Sequence, residues 1–307
     1  MTLEWGGAAI NLIDTPGHVD FTFEVERSLR VLDGAIIALD GVAGVQVQSE
    51  KVWRQADRYR IPRIVFINKL DRQGADVAHV LKTIEAAFQV RPLLTQLPLF
   101  GGGTTGGDTT LCGVFDLVSM TACEWDADVD PTGRQYSSTA LADGEEALVG
   151  RYPGLAESVA EAREALVEAA AECDDELAEE LLMADLDTSA VEAEPLRAAL
   201  RRITVSNGVA SSNGASMGAE GNTGVAVLLG ASLRNIGVQP LLDATVDYLP
   251  SPFDEGRNVA SALELPPAGS PPTAVPTAVD LECSPDTDAA LRALAFKVSL
   301  KHDDFPL

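Results

Sequence analysis

At 307 residues, 46% of them hydrophobic, with a mean hydropathy of +0.08, the chain can bury a full core and has room for about two domains. Its 47 acidic residues outweigh 22 basic ones, and the net charge of −25 argues against a nucleic-acid footprint, leaving acidic faces suited to solvation or to basic protein partners. No apolar run is long enough to span a bilayer, so no membrane partner is expected, and the cysteines (Cys112, Cys123, Cys173, Cys283) and the few histidines lack metal-ligand spacing.

In chain order, Ile10, Leu12 and Ile13 predict a buried strand ending at Asp14, followed by the turn Thr15-Pro16-Gly17-His18. Phe21, Val25, Leu29 and Leu32 then recur at helical spacing, and Ala35 to Leu39 is a second strand-length run. The pattern is one βαβ unit, and a parallel sheet built of such units places ligands beyond the carboxyl ends of its strands. An Asp at such an end can hold a hydrated Mg²⁺ and a Gly can bring a backbone N–H to a γ-phosphate; a plain strand-ending turn is the alternative.

Residues 46–59 read as a helix with Val45, Val52, Ala56 and Tyr59 on its apolar side and Trp53 packed on the core. Arg63 to Ile67 is another buried-strand run, leading directly into Asn68-Lys69-Leu70-Asp71. The Asp71 carboxylate can accept two parallel hydrogen bonds from the N1–H and exocyclic amine of guanine, while the Asn68 amide faces the O6/N7 edge. Adenine cannot satisfy that carboxylate, although Asp71 could also serve as an ordinary helix cap.

A helix follows over 75–88, on Val77, Leu81, Ile84 and Phe88, with His79 at the surface. Leu93 to Leu99 and Gly113 to Val118 read as strands around a Gly-rich tip that has no lysine to hold phosphate. Residues 155–182 read as one long helix, its apolar stripe formed by Leu155, Val159, Ala162, Leu166, Cys173, Leu177 and Leu181. Ser206 to Gly224 is low-complexity and is expected to be disordered; Val225 to Leu229 is a strand leading into Gly230-Ala231-Ser232-Leu233-Arg234, and 239–248 a closing helix. Residues 253–289 are Pro- and Ala-rich and read as a linker with little to bury.

The segments DTPGHVDFTFEVERSLRVLDGA and QSEKVWRQADRYRIPRIVFINKLDRQGAD, with RPLLTQLPL, NIGVQPLLDATVDYLPSP and ALAFKV, resemble the translational GTPases of the elongation factor G family. Within it the similarity is nearest to the second mitochondrial form, a ribosome-releasing factor; the translocase proper and a non-enzymatic acidic module derived from such a GTPase are the alternatives. The resemblance implies an α/β fold: an incomplete P-loop-type GTPase domain, mostly parallel sheet with helices on both faces. It also implies an inserted α+β subdomain over 91–224 between GTPase segments 1–90 and 225–252, and over 290–307 the first strand of a following β-barrel.

GTP or GDP and Mg²⁺ are the implied ligands. His18 would orient the attacking water, Asp14 would reach Mg²⁺ through water, and Gly17 would donate to the γ-phosphate, within a motif of Asp14, Thr15, Pro16, Gly17 and His18. Asn68, Lys69, Leu70 and Asp71 would hold the base, together with the turn of Ala231, Ser232 and Leu233, where the family's Ser-Ala order is exchanged and its Lys becomes Arg234. The implied partners are the ribosome and ribosome recycling factor, and the implied location is the mitochondrion. The sequence contains no Gly-Lys dipeptide, so the family's phosphate loop has no counterpart in it, and the similarity implies a start inside the domain. Poor GTP hydrolysis by these residues alone is therefore expected.

Overall fold

The computed structural model describes residues 1–15, 22–101, 110–209, 223–252, 254, 259–264 and 277–282. The chain divides into two compact units, Met1–Leu249 and Pro250–Leu307, each taken by itself below.

The first unit opens with a hairpin of β1 (Thr2–Trp5) and β2 (Ala8–Asn11), antiparallel with Thr2 opposite Asn11. Gly6 and Gly7 both sit at positive φ, +55° and +79°, as a two-residue hairpin turn requires. This corrects the expected buried strand and the first half of the βαβ unit. β2 pairs locally with β1 and is not a strand of the parallel sheet, and Leu12 and Ile13, which follow it, are 44% and 36% exposed. A two-residue turn closes its pairing over a few residues, whereas a parallel partner requires a long crossover.

The second half of that unit forms as read: α1 (Thr22–Leu29) leads to β3 (Ala35–Asp40). Next come α2 (Val47–Arg58), β4 (Arg63–Asn68), α3 (Val77–Phe88) and β5 (Arg91–Leu94). The expected strand Leu93–Leu99 is split at Thr95, because β5 belongs to the parallel sheet and β6 (Gln96–Phe100) to another. At the split both the N–H and the hydroxyl of Thr95 donate to the Val227 carbonyl.

β6 continues into an antiparallel sheet with β7 (Leu111–Asp116), β8 (Thr121–Glu124) and β9 (Ser137–Ala140). The helices α4 (Leu141–Arg151), α5 (Leu155–Ala171), α6 (Asp175–Met183) and α7 (Ala193–Val209) follow. The single helix expected over 155–182 is thus two. The Asp174 side chain accepts the Leu177 N–H at 2.9 Å and starts a new helix, which turns the second half of the apolar stripe independently of the first. Helix α7 was not read from the sequence, although Leu196, Ala199, Leu200 and Ile203 give it a buried helical stripe. It includes Ser206 to Val209, at the start of the expected disordered loop; most of that loop, and most of the Gly-rich tip, lie outside the described residues.

β10 (Gly224–Leu229) returns to the parallel sheet and α8 (Val238–Tyr248) closes the unit. The sheet order is β3-β4-β10-β5, all parallel. Alternation along β4 sends Val65 and Ile67 to a core shared with Trp53 of α2 and with Val80, Ile84 and Phe88 of α3. Ile64 and Phe66 face a second core with Leu200 and Ile203 of α7 and Leu241 of α8. Both faces of the sheet are covered, which is why its strands read as continuous apolar runs. The fold is α/β, a parallel sheet flanked by helices, with an antiparallel β region.

In the second unit, β11 (Val259–Glu264) and β12 (Thr277–Glu282) pair antiparallel in full register. Both strands fall within residues 253–289, the Pro- and Ala-rich stretch expected to be a linker with little to bury. The expected barrel strand near Ala293 lies outside the described residues.

Candidate functional site

The carboxyl ends of β3, β4 and β10 converge on one polar cluster. Asp40 and Asn68 are paired neighbours in the sheet register, and the turn Gly230–Asn235 leaves β10 beside them. Asn68 ties the two loops together. Its Oδ1 accepts the N–H groups of Lys69 (2.8 Å) and Ser232 (2.9 Å), and its Nδ2 donates to the Ser232 hydroxyl at 2.8 Å. Backbone bonds from Leu70 N–H to Gly230 O (3.2 Å) and from Gly230 N–H to Ile67 O (3.0 Å) reinforce the join. The exchanged Ser and Ala thus keep a hydroxyl that braces the turn, one position later than in the family pattern.

Lys69 holds a left-handed backbone, φ +64°, and its Nζ donates to Asp40 Oδ2 at 2.7 Å. Asp40 also accepts the N–H of Val42 at 2.9 Å and of Ala43 at 3.3 Å. The Lys69 hydrogen bond foremost, then the amide of Val42, lowers the Asp40 carboxyl to about 2. Leu70, at 2% exposure, anchors the loop in the core beneath, where its side chain lies against Gly41.

The Asp71 side chain is mostly covered, 18% exposed, with Arg234 Nε 3.3 Å from Oδ2. In the facing turn the Ala231 N–H is taken by Ile236 O at 2.9 Å and the Ser232 N–H by Asn68. The Leu233 N–H has no acceptor among the described residues, and its side chain is 95% exposed. The loop after β4 thus carries a carboxylate and the turn after β10 a backbone donor, group types that suit the Watson–Crick edge and O6 of guanine.

Asp14 and Thr15 lie just after the β1–β2 hairpin, Asp14 exposed, and no hydrogen bond or ion pair among the described residues joins them to this cluster. Pro16, Gly17 and His18 lie outside the described residues. Asp14 is a single carboxylate, which suits a water-mediated contact to a phosphate-bound Mg²⁺ and not an all-protein metal cage. Two participants were missed from the sequence. Asp40 carries the same signal as Asp14, a carboxylate ending an apolar run, and Arg234 was seen only as a substitution. A cleft of about 480 Å³, lined by Asp116, Asp243 and Tyr248 among others, includes none of the residues of the cluster.

The family model described as the elongation factor Tu GTP binding domain matches residues 1–251. A solved structure of a protein from Thermus thermophilus is similar, with a TM-score of 0.64 and 26% sequence identity over 85% of this chain. This chain covers 33% of that one. Since the family model takes in the hairpin, the parallel sheet, the antiparallel sheet and α8, the chain belongs to the family of the elongation factor Tu GTP binding domain, whose ligand is a guanine nucleotide.

Proposed function

We propose that the cluster at the ends of β4 and β10 is the base-recognition half of a GTPase site, in a translation factor of the elongation factor G group. The observation that carries the reading is the Asn68 brace to Ser232, which ties the loop bearing Asp71 to the turn bearing the Leu233 amide, with Arg234 of that turn paired to Asp71. In this reading Asp71 accepts the guanine N1–H and 2-amine, the Leu233 N–H meets O6, and the Lys69 stem, pinned by Asp40, flanks the ring. Asp14 and Gly17 act on the metal's water shell and the γ-phosphate, and His18 orients the attacking water. Mg²⁺ would supply charge neutralisation between the phosphates.

The biological role in this reading is ribosome disassembly after termination, in the mitochondrion, with the ribosome and ribosome recycling factor as partners. The sequence similarity to the ribosome-releasing form supports it. Splitting of ribosomes into subunits by the complete factor would support that role, and translocation without splitting would replace it.

The site itself is tested by equilibrium binding of a fluorescent GDP with Mg²⁺, alongside Asp71→Asn. Guanine-selective binding that moves to xanthine nucleotide in Asp71→Asn is the expected result, because the amide inverts one hydrogen-bond partner. Absence of binding by a folded chain, or a variant that keeps its guanine preference, refutes the assignment of Asp71.

A further inference from the structure

The loop between β8 and β9 belongs to the antiparallel sheet, yet it docks on the turn that follows β10. Asp130 gives it a fixed shape. Oδ1 accepts the Thr132 N–H (2.9 Å) and hydroxyl (2.6 Å), while Oδ2 accepts the N–H groups of Arg134 (2.8 Å) and Gln135 (2.9 Å). The Thr132 hydroxyl foremost, then these amides, lowers the Asp130 carboxyl to about 2.

So shaped, the loop aims one carbonyl at the turn and the next at the side chain of Gln239 in the first turn of α8. Thr132 O accepts Asn235 Nδ2 at 2.7 Å, and Gly133 O accepts Gln239 Nε2 at 3.1 Å and Trp125 Nε1 at 3.1 Å. Gly133 has φ +65°, and a Cβ there would stand 2.1 Å from the Arg234 carbonyl oxygen, so only glycine permits the approach. Trp125, 8% exposed and stacked on Tyr136 at 5.1 Å, holds the loop from behind. Asn235 itself closes the turn in a left-handed conformation, φ +58°.

We infer that this loop is a clamp that sets the position of the Leu233 backbone donor, making Asn235 and Gly133 positioning residues for recognition of the purine O6. The inference rests on the base-site reading above. On its solvent side the turn is held, among the described residues, by the ion pair of Arg234 with Asp71 at 3.3 Å, through an arginine side chain that is more than half exposed, while Leu233 is 95% exposed. On its other sides are Asn68 and the clamp. A hydrogen-bond donor set on a loop keeps its geometry only if the supporting groups are themselves fixed, and here they are fixed by the inserted sheet. The inserted region thereby reaches the base site through two residues.

The test compares GDP with 6-thio-GDP, which keeps the N1–H and 2-amine for Asp71 but replaces O6 by sulfur, a weaker acceptor. Asn235→Gly preserves the left-handed backbone and removes the bond to Thr132 O; Gly133→Ala pushes the loop off the turn. Both are expected to weaken GDP binding about tenfold and to bring the GDP to 6-thio-GDP affinity ratio toward one, with 6-thio-GDP affinity itself little changed. A general loosening would lower both affinities alike and leave the ratio standing. An unchanged ratio in a wild-type chain that binds GDP guanine-selectively overturns the clamp and spares the site. A wild-type chain without guanine preference overturns both.

Discussion

Lys69 and Arg234 bring positive charge to the cluster by different means, and each carries a prediction. Lys69 is paired with Asp40, whose carboxyl is lowered to about 2. A depressed carboxylate stabilises the fold fully above its unfolded value, about 3.9, and loses that contribution as pH falls through its folded value. Asp40→Asn should therefore cost about 1 kcal/mol at neutral pH, reduced by solvent screening, and the gap to wild type should close between about pH 4 and pH 2. Urea melts across that range would measure it; a gap that widens on acidification contradicts the assignment. Arg234, by contrast, sits on one of the two Asp71 oxygens that guanine needs. Arg234→Gln removes this competitor, and GDP affinity should rise about threefold, most at low salt. Weaker GDP binding by Arg234→Gln would show that the arginine assists the base.

Between elements, the join of α2 to β4 concentrates most of its polar energy in one group. Arg63, 2% exposed at the start of β4, is paired with Asp57 of α2, donates to Trp53 O at 2.9 Å, and lies over the Trp53 ring at 4.2 Å. Trp53 in turn stacks on Phe88 of α3 at 4.0 Å. Burial lowers the guanidinium's pKa and Asp57 opposes that shift. Asp57→Ala leaves a buried cation without its counter-ion and should cost about 3–5 kcal/mol, whereas Arg63→Met, which removes the charge and keeps most of the volume, should cost markedly less. Chemical denaturation midpoints would separate them, and equal losses would mean that packing, not charge, dominates the join. The break between α5 and α6 gives a second test: Asp174→Ala removes the cap on Leu177 N–H together with the two hydrogen bonds from Arg202 of α7, and should cost about 2 kcal/mol by denaturation midpoint, more than a cap alone.

At the scale of the molecule, the cluster proposed for base recognition is assembled by strands far apart in sequence, while the groups proposed to act on phosphate lie within the one segment Asp14 to His18. With no Gly-Lys dipeptide in the sequence, the strongest phosphate donors of such sites are not supplied by these 307 residues. GTP turnover by this polypeptide should therefore stay near the uncatalysed rate with Mg²⁺, even where GDP binds. Multiple-turnover phosphate release is the measurement, and turnover at the rate of a complete ribosome-stimulated factor would refute the expectation.

Much of this organisation was legible along the chain wherever a property is local. Ala35 to Leu39 and Arg63 to Ile67 declare themselves as strands because both faces of the sheet are covered and every side chain is apolar. The place of Asn68 and Asp71 just beyond a strand end was likewise legible, because a short polar run after an apolar one keeps its spacing whatever surrounds it. The Asp14 strand misled for the complementary reason, since an apolar run does not say whether its partner is a local hairpin or a distant parallel strand. Three things belonged to the tertiary structure alone: the pairing of β10 between β4 and β5, the Asn68 amide turned to Ser232 across 164 positions, and the Thr132 carbonyl seated on Asn235 of the turn. Each depends on backbone groups meeting at distances of a few ångströms. Residue identity announces a hydrogen-bonding group, but only the packed fold determines which other group lies within its reach.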